Sequence, residues 1–348
     1  MMPAAVRLRR SDQSQPGLTR RRSGRGFVYL DADGRRVADE ETLTRITGLV
    51  IPPAWRDVWI SADVRGHLQA TGIDAAGRRQ YRYHDRWREL RDRQKFDRML
   101  EFGRVLPRLR RRVDADLSSG EALSRERVLA AAVRLLDVGL FRIGSHENGE
   151  EDTGLGLATV RREHVRIVGG AASFDYPAKS GVRRQIAIDD PGSLAVVTAL
   201  RRRRGGPEEL LAYRDGRRWS HLHADDINGY IKTGLNNAHF SAKDFRTWNA
   251  TVLAATSLAA RAAAAADAKV ARRPSPQRVF NAVTREVSEA LGNTPAVARR
   301  AYIDPRLFDL YVSGSVVRLP VLRTPPASLR VSPRVRRRAE LAVLELLS

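Results

Sequence analysis

The hydrophobic pattern changes period near residue 85, and that change divides what the chain can become. From Phe27 to Tyr83 apolar and polar residues alternate in short runs cut by turn signals. "FVYLDADGRRVA" reads as strand, Asp33-Gly34 turn and strand. "VWISA" is a further strand, "GIDAAGRRQYRYH" a second hairpin, and Pro52-Pro53 punctuates them. From Arg86 the apolar residues recur at helical spacing. "HDRWRELRDRQKFDRMLEFGRVLPRLRRRVDADL" gives at least two charged helices, and residues 123–145 one long apolar-faced helix beginning near Ser124. A β element returns at 164–188, looped at Pro177 to Gly181, and helices then resume through residue 348. The alanine-rich stretch 250–270 has high helix propensity, whereas "RRRRGG" at 201–206 is a loop by its glycine pair. The expected fold class is α+β: a small N-terminal β-rich domain, then a mostly α-helical domain with a β-hairpin insertion. Residues 1–26, polar and arginine-rich, are expected to be a disordered basic arm, and 321–348 a tail with a short amphipathic helix.

A chain of this period pattern still needs a partner, and its charge names the class. A formal net charge of +22 and a pI near 11.3 point to a polyanion. The arginines are spread along the whole chain, which favours nucleic acid over a membrane surface. Only five of the 62 basic residues are lysines, so each lysine stands out. The absence of cysteine excludes disulfides, thiol nucleophiles and cysteine-ligated zinc. The first 26 residues lack the apolar core of a signal peptide, and no run of about 18 apolar residues exists. The expectation is a soluble, cytoplasmic protein.

Several motifs are weaker than they look. "GIDAAGRR" has the glycine spacing of a phosphate loop without its Lys-Ser/Thr, and reads as a hairpin turn. His221 and His223 suit one face of a strand but lack a third metal ligand nearby. Neither an ATP site nor a metal is expected, so chemistry must come from side chains alone. In "RRQYRYH", Gln80, Tyr81 and Tyr83 set an amide and alternating aromatics beside arginines, which suits bases and phosphates; core tyrosines of a barrel strand are the alternative. Arg142 lies in an apolar stretch, where an unpaired charge would cost several kcal/mol, so it pairs with a carboxylate or faces a ligand anion. Lys243 and Arg246 project from one helical face. Tyr302 ends a short helix that begins at Thr294-Pro295 and cannot pass Asp304-Pro305. With Lys179 in a hairpin loop, the set supplies two guanidiniums for a phosphodiester, a mobile ammonium and a phenol.

Six stretches, "IPPAWRDVWIS", "GRRQYRYH", "FRIGSHEN", "GLATVRREHV", "AKDFRTW" and "LGNTPAVARRAYIDP", occur in the order and spacing of one family. Over about Phe27 to Pro320 the chain resembles the type IB DNA topoisomerases of the poxvirus and bacterial kind. The resemblance implies an N-terminal β-barrel domain at 27–92 and a helical catalytic domain at 93–320 that clamp double-stranded DNA as a monomer. It assigns Tyr302 as nucleophile, Arg142 and Arg246 as catalytic arginines, and Lys179 as general acid. It also places Lys243 in the minor groove, and Gln80, Tyr81 and Tyr83 on DNA. Asn293 departs from the histidine of poxviral and eukaryotic relatives; its amide donates a hydrogen bond but carries no charge. The implied reaction relaxes supercoils through a 3′-phosphotyrosyl intermediate without ATP or metal. A tyrosine recombinase would share this chemistry, but its second arginine usually follows histidine in H-x-x-R, where this chain has Lys243-Asp-Phe-Arg246. A DNA-binding module without catalysis would leave the paired arginines and Tyr302 unexplained. One difficulty of geometry stands. Nine residues of straight helix span about 13 Å and put Asn293 and Tyr302 on opposite faces.

Overall fold

The computed structural model describes residues 7–119, 123–144, 154–267, 274–318 and 332–348. They group into two compact units, Met1–Phe96 and Asp97–Ser348.

The first unit is built on one antiparallel sheet. Its strands are β1 (Leu18–Ser23), β2 (Gly26–Leu30), β3 (Arg56–Ile60), β4 (Leu68–Ile73) and β5 (Arg79–Tyr83), in the order β2-β1-β3-β4-β5. Helix α1 (Glu40–Gly48) starts at Asp39, whose carboxylate accepts the N–H of Thr42 at 2.8 Å. Its Ile46 meets Leu18, Val58, Ile60 and Ala70 in a small core. Asp74 closes the β4–β5 turn by accepting the N–H groups of Ala76 and Arg78.

The basic arm is a correction. Residues 7–26 are not disordered: β1 lies inside the sheet, paired with β2 on one side and β3 on the other. Backbone pairing and buried Leu18 hold it, while Arg21 and Arg22 are exposed. Arg20 adds three bonds, donating to the carbonyls of Ile51 (3.2 Å), Pro52 (3.0 Å) and Trp55 (2.7 Å), and so pins the Pro-Pro-Ala-Trp loop. The expected partner of β2, residues 35–38, contributes only an isolated bridge between Leu30 and Arg36. Residues 1–6 lie outside the described residues.

The expected pair of charged helices is a single one, α2 (Asp85–Ser118), with Pro107 inside it. In the second unit α3 (Arg125–Gly139), capped by Ser124, is apolar nearly all round and forms the axis of the core. A sheet follows, β6 (Val165–Val168), β7 (Ala171–Pro177) and β8 (Arg183–Ile188), in that order. Then come α4 (Pro191–Arg202), a hairpin of β9 (Ala212–Asp215) and β10 (Arg218–His221), and α5 (Ala224–Leu235). The long α6 (Ala242–Asp267) lays Trp248 against Gly103 of α2, where a Cβ would sit 2.5 Å from the indole. Helices α7 (Pro276–Leu291), α8 (Pro295–Ala301), α9 (Arg306–Val312) and α10 (Pro333–Leu347) complete the chain. The β9–β10 hairpin lies in a region where helices and a loop at 201–206 were expected.

Behind α3 lies a buried charge network. Asp137 of α3 accepts from Arg110 of α2 at 2.7 and 3.0 Å and from Arg336 of α10, and Arg110 and Arg336 both reach Glu340. Asn249 of α6 joins it, donating to the carbonyl of Asp137 at 2.9 Å and accepting from Arg336 at 3.0 Å. These partners satisfy charges that would be costly alone.

Candidate active site

Helix α3 stops earlier than its apolar run. Its C-cap, Leu140, sits in the left-handed region at φ 54°, so Arg142 lies beyond the helix on an irregular segment. That segment is held by residues 156–158: the N–H groups of Leu157 and Ala158 donate to the carbonyls of Arg142 (2.8 Å) and Ile143 (2.7 Å). Gly156 permits the approach, since a Cβ there would lie 2.4 Å from the nitrogen of Gly144. The same strip reaches the hairpin loop. Leu155 donates to Pro177, and a Cβ on Gly154 would fall 2.0 Å from the carbonyl of Ala178.

Asn293 and Tyr302 do not share a straight helix. Helix α7 ends at Leu291, Gly292 turns the chain at φ 61°, Thr294 caps α8, and Tyr302 follows α8's last residue with φ −129°. Asn293 therefore precedes the seven-residue α8 and Tyr302 succeeds it. This break brings both toward the arginines. Thr251 of α6 donates to the Tyr302 carbonyl at 3.2 Å, and the Tyr302 N–H remains bonded to Ala298. Beyond it, buried Asp304 is gripped by Arg306, which fixes the exit of the loop.

Three guanidiniums gather on the C-terminal carbonyls of α7, where the helix dipole favours cations. Arg184 of β8 donates to Glu289 (3.2 Å) and Ala290 (2.6 Å). Arg246 of α6 donates to Leu291 at 2.9 Å and to the carbonyl of Leu140. Arg142 donates to Gly292 at 3.2 Å and to Oδ1 of Asn293. Arg142 thus rests on neutral acceptors among the described residues, where of the two expected partners, a carboxylate or a ligand anion, no carboxylate is found. Its bond to Asn293 fixes the amide's orientation. A guanidinium only donates, so the oxygen must face it and the NH₂ must face away. That Nδ2 is buried and has no partner among the described residues.

Electrostatics favour ionisation of Tyr302. Its ring lies 5.2 Å from the Arg246 guanidinium carbon. Half-burial by itself would raise the phenol, but Arg246, then Arg142 and Lys243, outweigh it and hold it below its ordinary value. Arg246 is itself pushed down to about 10, chiefly by burial, and stays charged at neutral pH. Tyr176 of β7, beside the same three arginines, is instead raised, because burial outweighs their charge.

Arg142, Arg246, Asn293 and Tyr302 are brought together; the other expected residues are not all with them. Lys243 is exposed one turn before Arg246 and acts on Tyr302 through its charge. Lys179 is exposed in the single 3-10 turn between β7 and β8 and makes no hydrogen bond or ion pair among the described residues. In the first unit Tyr81 and Tyr83 point outward, 45% and 39% exposed, with rings stacked 6.1 Å apart. Gln80 instead donates to Asp74 at 2.9 Å. His221 bonds the carbonyl of Ala158, and no group of three His, Asp or Glu side chains among the described residues could hold a metal ion. Sequence reasoning missed Gly154, Gly156, Gly292 and Arg184. The glycines had a signal, since Gly156 and Gly292 lie in the quoted motifs and Gly154 just before one, but Arg184 had nothing to distinguish it among so many arginines.

Comparison with known proteins adds family. Residues 84–305 match the family described as eukaryotic DNA topoisomerase I, catalytic core, and residues 26–74 match bacterial DNA topoisomerase IB, N-terminal domain. A DNA topoisomerase 1B of Acanthamoeba polyphaga mimivirus is 26% identical over 300 residues, covering 85% of this chain and 87% of the viral protein.

Proposed function

This chain belongs to the type IB DNA topoisomerases, and from that premise we propose that it relaxes supercoiled duplex DNA through a 3′-phosphotyrosyl intermediate. Tyr302 Oη attacks a backbone phosphorus; the P–O5′ bond breaks as the P–Oη bond forms. The phenol's proton leaves to solvent, and Lys179 gives a proton to the departing 5′ oxygen. Arg142 and Arg246 move from helix carbonyls onto the non-bridging oxygens, and Asn293 donates its free NH₂ to the same phosphate. The cut strand swivels, the 5′ hydroxyl re-attacks, and each bond change reverses. The phosphotyrosyl ester conserves the energy of the original bond, so no ATP is consumed. Two guanidiniums and an amide supply the charge stabilisation that a metal gives elsewhere.

One observation supports this reading most: the NH₂ of Asn293, on an amide held by Arg142, is buried without an acceptor among the described residues, while the phenol of Tyr302 is biased toward ionisation. An unsatisfied buried donor costs about 1–3 kcal/mol, and a phosphate oxygen is the acceptor that would satisfy it. The partner is double-stranded DNA, engaged by a single copy through residues of both units, with Tyr81 and Tyr83 as contacts in the first and Lys243 in the second. In a cell the enzyme would lie on the nucleoid in the cytoplasm. The test is relaxation of a supercoiled plasmid with EDTA present and ATP absent, with denaturation to trap protein on the 3′ end. Activity that required ATP or magnesium, or protein trapped on a 5′ end, would refute it.

A further inference from the structure

Arg184 belongs to none of the roles above, yet it touches three of the segments that carry them. Its side chain leaves β8, whose connection to β7 holds Lys179. Nη1 donates to the carbonyl of Glu289 at 3.2 Å, and Nη2 to Ala290 at 2.6 Å and to Gly139 at 3.4 Å. Gly139 closes α3, three residues before Arg142; Glu289 and Ala290 lie in the last turn of α7, just before Asn293. Gly292 is packed on the same guanidinium: a Cβ there would stand 3.1 Å from Nη1 and 3.2 Å from Cδ. The turn that aims Asn293 therefore needs glycine twice, for its φ of 61° and for Arg184.

We propose that Arg184 is a positioning residue for the cleavage reaction: it fixes the end of α7 against α3, and so sets where Asn293 presents its NH₂. Chemistry explains the residue type. A planar guanidinium offers five N–H groups in a fixed fork and can bridge carbonyls from two directions, whereas an ammonium is a compact point donor. The other two arginines on this helix end must leave their carbonyls to reach a phosphate. Arg184 donates to the two carbonyls that neither of them uses, so it holds the turn while they exchange. This inference rests on the proposed reaction and adds to it the residue that orders its neutral donor.

The test is single-turnover cleavage of a pre-bound duplex by Arg184→Lys and Arg184→Ala, each also placed in an Asn293→Ala background. Arg184→Lys keeps the charge and the aliphatic stem, so hairpin packing survives if the alanine variant misfolds. Cleavage of bound DNA should slow about 10- to 100-fold in either single variant, with Kd shifting less than about threefold, as expected when a reacting group is misplaced by about 1 Å. In the Asn293→Ala background most of that loss should vanish, because the donor being positioned is gone. An undiminished loss in that background would overturn the proposal, as would a wild-type cleavage rate in Arg184→Lys. Failure of the parent protein to form any covalent adduct would instead refute the cleavage reaction itself, so the two failures are told apart.

Discussion

At the scale of single residues, Tyr302 and Asn293 make the sharpest demands. Tyr302→Phe removes one oxygen from a half-buried ring, so duplex binding should stay within about twofold while the covalent adduct disappears, read by trapping on denaturing gels. The phenol is held low by cations against the effect of its burial. Cleavage should therefore rise with pH and level off below the ordinary phenol value. Lys243 is exposed and contributes to that depression, so Lys243→Ala should shift the whole profile to higher pH without unfolding the protein. An unshifted profile would remove Lys243 from the electrostatics of the nucleophile. Asn293→Asp keeps an acceptor for Arg142 but turns the free NH₂ into a second anionic oxygen aimed at the phosphate. It should slow single-turnover cleavage more than Asn293→Ala does, by a further factor of about 10 or more. Most of these residues were legible in the sequence because their types are rare or oddly placed, such as a lysine among arginines. The orientation of the Asn293 amide was not, because it depends on a bond from Arg142, 151 positions away in the chain.

At the scale of elements, helix ends matter more than helix lengths. The apolar run that made residues 123–145 read as one helix is real, but a core helix and a following buried segment share composition. Leucine at φ 54° gives no warning that the helix stops, whereas Gly292 marks the end of α7 plainly. The β9–β10 hairpin was readable from Asp215-Gly216, the turn between its strands, but its four-residue strands are too polar to show alternation. The α10 helix is held by charge as well as by its apolar face. Arg336 is 6% exposed and bonds Asp137, Asn249 and Glu340. Arg336→Ala should cost about 3–5 kcal/mol by leaving two buried carboxylates, Asp137 and Glu340, to share the single guanidinium of Arg110. That is a fall in Tm of roughly 6–20 °C for a unit of this size, measurable by calorimetry. Burial opposes ionisation of Asp137, but Arg110 and Arg336 hold its carboxyl well below the usual range. The network's contribution is full above the unfolded carboxylate pKa and is lost as pH falls toward the folded value. The stability gap between wild type and variant should narrow in that acid window and nowhere above it.

At the scale of the molecule, the division into a β-rich and a helical unit was visible in the change of hydrophobic period, because each period suits one kind of element. What the sequence hid was β1, whose arginine-rich strand has no alternation and owes its place to neighbours on both sides. Deleting residues 1–25 should therefore do more than weaken binding. Hydrogen exchange should show loss of amide protection across residues 26–83, where removal of a loose arm would leave it unchanged. The joining of distant segments has a further meaning for a chain made from one end to the other. Arg246 meets Leu140 across 106 residues, and Arg142 meets Asn293 across 151. A nascent chain emerging from the ribosome holds both arginines long before it holds the tyrosine. On the proposed reaction it can form no covalent adduct with DNA until the segment after α8 has been made and docked. On the proposed reaction, a translation product interrupted before that segment carries no nucleophile for a phosphodiester.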